Sequence, residues 1–192
     1  MQTISIRLEC RPMQTNLIDE LKSLLQASDA KLRKHWATRI VKEQVSVESL
    51  MVLLHGHKKT AERFTWLIGD LLDEDPAVVE PVVPMLFELR DQMPFPGMRR
   101  TVAKCLWFVG LPTGMEKVAT AELFKWLEDD AFAIGVKHYA SKALFDLAVG
   151  EIVDAKRLGN ILKRQAKHEN QAHASRMEKL RIKLGKATGE LS

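Results

Sequence analysis

The chain has 192 residues, of which 46% are hydrophobic and 28% are charged. This length and composition suit a soluble globular protein with a sizeable core, and they exclude wholesale disorder. The N-terminus lacks a signal-peptide pattern, and no apolar run approaches the roughly 18 residues that a membrane-spanning helix needs. Two cysteines, Cys10 and Cys105, show no metal-type spacing. The sequence therefore predicts a cytoplasmic protein with reduced thiols and no membrane association.

The net charge of +4 is unevenly distributed along the chain. Residues 151–192 contain ten Lys or Arg and five Asp or Glu, whereas residues 1–150 contain 19 and 20. A basic segment of this kind indicates either an acidic partner or a solvated helical face.

The first 56 residues predict an arm followed by three helices. Ile4, Ile6, Leu8 and Cys10 alternate with polar residues as in a strand, but no second strand is available to pair with it, so residues 1–12 are expected to form an arm. The remaining residues, 13–192, are expected to form a single helical domain. The first helix of this domain is predicted to begin at Asn16, and the second to follow an N-cap at Ser28. The third is predicted to begin at Ser46 and to end at Gly56.

Residues 58–150 repeat a helical pattern three times. Residues 59–69 match residues 100–110 in nine of eleven columns: basic, Thr, small apolar, basic, apolar, Trp, two apolar residues and Gly. A third, fainter copy places His138, Ala140, Lys142, Ala143 and Phe145 in the same columns. Helix pairs that recur about every 40 residues are typical of HEAT and armadillo arrays.

Each copy predicts two antiparallel helices. The copies are expected at about 58–92, 97–130 and 134–168, followed by a capping helix at 171–184. In copy three the two helices are expected at 134–149 and from Glu151 to about His168. Pro81 and Pro84 predict a bent start for the second helix of copy one. The predicted fold class is all-α, a right-handed α-α superhelix of the HEAT/armadillo-like solenoid type.

Three stretches make the likeness more specific: the acidic turn before Pro76, residues 124–127 and residues 136–140. With them, residues 60–184 resemble a family of small bacterial HEAT-like proteins whose members sometimes carry the label adenylosuccinate lyase. The chain lacks the signature loop of true adenylosuccinate lyases and is much shorter, so we expect no such activity. The resemblance implies a helical-repeat protein and assigns no ligand.

The sequence predicts no metal and no cofactor. His168 and His173 stand five residues apart, whereas a helical zinc site needs histidines four apart on one face. His55 and His57 flank a glycine at a helix end, where a polar turn explains them. No phosphate-binding loop or nucleophile motif occurs.

One motif raises an enzymatic alternative. HEAT-like alkylpurine DNA glycosylases carry a Trp and an Asp four residues apart, as Trp66 and Asp70 are here, with an Arg on a later helix that would be Arg99 or Arg100. In that family the aromatic ring stacks near the lesion and the carboxylate stabilises developing positive charge. The chain departs from the pattern in copy three, which offers Ala140 where an aromatic residue would be needed. The alternative is that Asp70 is a carboxylate at a helix end with local partners.

The repeat columns also predict a binding surface. In each copy two basic residues and one aromatic residue share a helix face, which in copy one is roughly opposite the apolar face of Ala61, Phe64, Ile68 and Leu71. Leu86 and Leu144 are likewise expected on inward faces. Aligned repeats would stack them into what we call the basic–aromatic ladder: Lys59, Arg63, Trp66, Arg100, Lys104, Trp107, His138 and Lys142, with Phe145 as the third ring. The alternative is that the rings pack between repeats while the cations are merely solvated.

We therefore predict a non-catalytic scaffold that binds a macromolecule, with a protein as the expected partner. Nucleic-acid binding, with or without base excision, is the alternative. If the ladder is the binding surface, charge reversal at Arg63, Lys104 and Lys142 should weaken binding and leave thermal stability nearly unchanged. The rival surface is the last helix, with Arg176, Lys179 and Lys183.

Overall fold

The computed structural model describes residues 12–27, 29–93, 95 and 97–189. These residues form helices, turns and loops with no strand, which confirms the all-α class for this part of the chain. Of the predicted arm at residues 1–12, residues 1–11, with Cys10, lie outside the described residues, whereas Pro12 begins α1. The helices are α1 (Pro12–Ala27), α2 (Ala30–Lys42), α3 (Val47–Leu50), α4 (Lys58–Glu74), α5 (Val83–Leu89), α6 (Gly97–Phe108), α7 (Glu116–Glu128), α8 (Ile134–Val149), α9 (Ala155–Gln165) and α10 (Gln171–Thr188).

The helix starts follow local capping chemistry. Asp29, rather than Ser28, caps α2, because its carboxylate accepts hydrogen bonds from the backbone N–H groups of Lys31 and Leu32. Asp154 caps α9 and Asn170 caps α10 in the same way. The helix α9 therefore begins four residues later than the sequence pattern predicts.

Proline interrupts the structure between α4 and α5. The sequence predicts one bent helix at about 76–92 as the second helix of copy one. Instead, two single turns of 3₁₀-helix at Pro76–Val78 and Glu80–Val82 precede the short helix α5. Proline has no N–H and restricts the residue before it, so Pro81 and Pro84 prevent a continuous helix from forming before Val83.

Helices adjacent in every second position contact one another: α2 contacts α4, α4 contacts α6, α6 contacts α8, and α8 contacts α10. The 3₁₀-helix Met51–His55 packs against α4, α5 against α6, α7 against α8, and α9 against α8 and α10. The core lies between these packed helices. Its members include the predicted inward residues Ala61, Phe64, Ile68, Leu71, Leu86 and Leu144, all buried.

Candidate functional site

The first basic column of the ladder contributes an internal contact. Arg63, on α4, donates hydrogen bonds through Nη1 to the backbone carbonyl oxygens of Leu25, at 2.7 Å, and Gln26. Both carbonyls belong to the last turn of α1, where helix carbonyls lack partners and carry partial negative charge. Arg63 therefore joins α4 to the C-terminal end of α1.

Lys104 makes the corresponding contact one repeat later. This side chain on α6 reaches the last two turns of α4, where its Nζ lies 2.6 Å from the carbonyl oxygen of Gly69 and 2.6 Å from Oδ1 of Asp73. Lys104 is only 8% exposed. An ammonium group placed in this way stabilises the packing of α6 on α4 and is not available to a partner.

These contacts contradict part of the sequence-based prediction. Charge reversal at Arg63 and Lys104 would place carboxylates against helix carbonyl oxygens, and at Lys104 also against Asp73. Such a variant must lose stability, because buried polar groups that lose their partners are costly. Of the three positions chosen for charge reversal, only Lys142 lies outside these helix-end contacts.

The two tryptophans of the ladder, Trp66 and Trp107, differ in exposure and in their contacts. Trp66 is 37% exposed, and the Arg33 guanidinium lies 5.5 Å from its ring centroid. Trp107 is half-buried; its Nε1–H donates to Asp146 at 3.0 Å, and the Nζ of Lys142 lies 3.7 Å from its ring centroid. Cation–π contacts of this kind fix the position of a lysine while leaving its charge near the surface.

The two surfaces that the sequence offers as alternatives, the third copy of the basic–aromatic ladder and the last helix, lie next to each other in the structure. Because α10 packs on α8, Arg176 and Lys183 lie near the third copy of the ladder. We call the resulting group the cationic cluster: Arg100, His138, Lys142, Arg176 and Lys183. Burial lowers the pKa of Lys142, and the charges of Lys183 and Arg176 lower it further, whereas Asp146 opposes the change.

The cluster carries more positive charge than nearby carboxylates balance. Within the described part of the chain, Arg100, Arg176 and Lys183 have no carboxylate within 4.0 Å. Arg100 is exposed, and its guanidinium lies 5.9 Å from the ring centroid of Tyr139. Its aliphatic stem passes over Gly135, where an added Cβ would lie 3.2 Å from Cδ. Like charges held together in this way favour an anionic ligand.

A cavity of about 230 Å³ lies beside the cluster, between α2, α4, α6 and α8. Its lining includes Arg33, Trp66, Asp70, Arg100 and Tyr139. The Asp70 carboxylate accepts a hydrogen bond from Nε of Arg33 at 2.5 Å. The motif residues of the glycosylase alternative thus share one cavity.

Tyr139 is the residue that sequence reasoning missed. The repeat alignment points to Ala140, which is buried, whereas its neighbour Tyr139 reaches the cavity. Tyr139 would have been found by looking for an aromatic residue one position before or after Ala140 in the repeat alignment. Arg99, the other candidate arginine, faces elsewhere: it pairs with Asp91 at 2.9 Å and lines a separate cavity of about 730 Å³ with Phe132.

Two members of the ladder lie apart from the cavity. Lys59, at the start of α4, is exposed, and Phe145 is half-buried against the core. Neither residue is part of the cavity lining. The ladder is therefore not one uniform surface. It consists of helix-end contacts at Arg63 and Lys104 and an exposed cationic region around α8.

A buried polar junction lies beneath α10. Nζ of Lys137 lies 2.7 Å from Oδ1 of Asp130 and 3.2 Å from Oε1 of Gln165. The same Oε1 lies 3.0 Å from Nε2 of His173, which is fully buried. Since an amide oxygen only accepts, Nε2 carries the proton, and the buried Nδ1 has no partner among the described residues. Burial, followed by the charges of His168 and Lys137, lowers the pKa of His173 to about 4.

The described residues contain no group of three or more His, Cys, Asp or Glu side chains that could hold a metal ion. His168 and His173, the histidine pair with near-metal spacing, have ring centroids 5.0 Å apart and separate hydrogen bonds.

Cys105 is fully buried, and burial raises the pKa of its thiol to about 12. In this part of the chain, no helix has the length and apolar character needed to cross a bilayer.

Comparison of the chain with protein-family models, with curated proteins and with solved structures finds no match.

Proposed function

We propose that the protein is a HEAT-like helical-repeat module that binds nucleic acid through the cationic cluster and the adjoining aromatic side chains. The repeat architecture is supported by the successive contacts of α4 with α6 and of α6 with α8, the helices that carry the three sequence copies, and by the packing of α5 on α6 and of α7 on α8. Solenoids use such continuous faces for binding extended partners.

The single observation that carries the proposal is the grouping of unbalanced cations on α6, α8 and α10. The sequence alone favours a protein partner, because it offers a repeated surface without an assembled catalytic site. The structure supports a polyanion better, because Lys142, Arg176 and Lys183 lie near one another on α8 and α10. Arg100 lies near His138 of the same group and lines the cavity together with Trp66 and Tyr139. Cations that track a phosphate backbone, next to rings on which bases stack, are the elements of single-strand recognition.

Charge reversal on α10 tests the proposal. The double variant Arg176→Glu/Lys183→Glu alters two cluster residues that are exposed. Its matched control, Lys156→Glu/Lys163→Glu, changes the net charge equally at exposed positions of α9, a helix that carries no residue of the cationic cluster. Binding of a fluorescent oligonucleotide is measured by anisotropy over a range of salt concentrations.

We expect the wild type to bind more weakly as salt rises, and the salt slope of the α10 variant to fall by about one for each phosphate contact removed. The control should keep the wild-type slope. Equal losses in both variants would mean that only net charge matters. If the wild type binds no nucleic acid and its partner in a lysate survives nuclease treatment, the protein-scaffold alternative replaces this proposal.

Excision of alkylated purines is a second candidate, favoured by the shared cavity. Trp66, Asp70, Arg100 and Tyr139 surround a space in which a base could meet both a ring and a carboxylate. The test is release of alkylated bases from treated DNA by the wild type and by Asp70→Asn. Asparagine keeps an acceptor for Arg33, so the fold should survive while release is abolished. No release by the wild type ends this candidate without affecting the binding proposal.

A further inference from the structure

His138 lies within the cationic cluster, near three of its other members. It lies on α8, half-buried, and its ring centroid is 5.0 Å from that of Tyr139. Cations face it from three helices: Arg100 from α6, Lys142 one turn later on α8, and Arg176 from α10.

Among the described residues, no charged group of α7 or α9 contributes to the shift in the pKa of His138. Asp130, which follows α7, and Gln165, on α9, contact Lys137, the residue before His138 on α8. His173, from α10, is also close enough for its charge to be coupled to that of His138. No carboxylate therefore neutralises this position directly within the described residues; Asp146 acts on Lys142.

The surroundings disfavour a charged imidazole in the free protein. Burial lowers the pKa of His138, and the charges of Lys142, Arg176 and Arg100 lower it further. When a ligand's phosphates bind to the cationic cluster, they add negative charge next to the His138 imidazole. The same imidazolium that is repelled by the free cluster is then attracted by the ligand.

We propose that His138 takes up a proton when a polyanion binds the cationic cluster, so that this face holds nucleic acid more tightly as the pH falls. This inference rests on the proposed function, because it concerns the same surface. By linkage, a site whose bound form holds an additional proton gains affinity on acidification through the range in which the free imidazole titrates.

The test compares oligothymidylate binding at about pH 8 and about pH 5.5, since thymine does not titrate in this range and the imidazole of His173 remains largely neutral. The variants are His138→Gln and, as control, His55→Gln, which alters an exposed histidine outside the cationic cluster. Thermal melting at both pH values checks that each variant is folded. Calorimetry in two buffers of different ionisation enthalpy measures the protons taken up.

We expect wild type and His55→Gln to bind about threefold to tenfold more tightly at the lower pH, with net proton uptake, because a ligand that raises a pKa by about one can change its own affinity by up to about tenfold. In His138→Gln the ratio between the two pH values should fall towards one. Persistence of the full pH dependence in His138→Gln overturns the inference, as does pH-independent binding by the wild type. No binding at either pH overturns the proposed function and this inference together.

Discussion

Acid should weaken the docking of α10, because His173 is buried as a neutral imidazole. Its Nε2–H is committed to Gln165, and its buried Nδ1 faces no acceptor among the described residues. Lys137, on the other side of Gln165, adds a positive charge nearby. Protonation at Nδ1 would therefore create a second buried cation in one junction.

The size of the effect follows from the pKa of His173, which burial lowers from 6.5 to about 4. Above the unfolded-state value the imidazole is neutral in both states and contributes no pH dependence. Between about pH 6.5 and pH 4 only the unfolded chain binds the proton, so stability falls as the pH falls, by up to roughly 1.4 kcal/mol per pH unit. The total loss approaches about 3 kcal/mol, a large share of a typical unfolding free energy of roughly 5–15 kcal/mol.

Urea denaturation at a series of pH values between about 7.5 and 4 measures this loss. The variant His173→Gln retains an N–H donor for Gln165 but does not titrate. It should be less stable than the wild type at neutral pH, and the difference between the two should shrink as the pH falls. His55→Gln, which alters an exposed histidine, should follow the wild-type profile.

The comparison between variants is decisive, because other histidines and the carboxylates also titrate in the unfolded chain. If His173→Gln and the wild type lose stability in parallel over the whole range, the buried neutral imidazole does not control acid sensitivity. A wild-type profile that is flat between pH 6.5 and pH 5 would refute the assignment equally.

Two further predictions concern stability. Leu86→Ala and Leu144→Ala should each cost about 2–5 kcal/mol, since both side chains are fully buried; losses below about 1 kcal/mol at both sites by chemical denaturation would contradict the packing described. Lys104→Met should cost about 1–2 kcal/mol, because the carbonyl of Gly69 loses a charged donor in a buried setting. The exposed control Lys156→Met should change the unfolding free energy by less than about 0.5 kcal/mol.

Much of the helical structure was predictable, because helix formation leaves a local pattern. The predicted span 134–149 coincides with α8, and the inward faces of α4 and α8 were correctly identified from the 3.6-residue period. Errors fall where proline or a competing cap decides the boundary, as between α4 and α5 and at the starts of α2 and α9.

The candidate site was less predictable, since a helical wheel gives only the angle of a side chain relative to its own helix. Lys104 lies on the side of α6 opposite its apolar stripe, yet it is buried because the last turns of α4 cover it. In the sequence the basic–aromatic ladder and the basic last helix likewise look like two separate surfaces. No local sequence pattern indicates that α10 packs against α8.

The sequence by itself determined that this chain is helical, that three helices carry the same columns of basic and aromatic residues, and which faces enter the core. These properties depend on periodicity within single helices. Only the tertiary structure decided that Arg63 and Lys104 bind backbone carbonyls of neighbouring helices, that Tyr139 joins Trp66 at one cavity, and that Arg176 and Lys183 lie near Lys142 of the third copy. The physical reason is that exposure and charge balance depend on which neighbouring helix covers a side chain, and that is set by packing between segments distant in sequence.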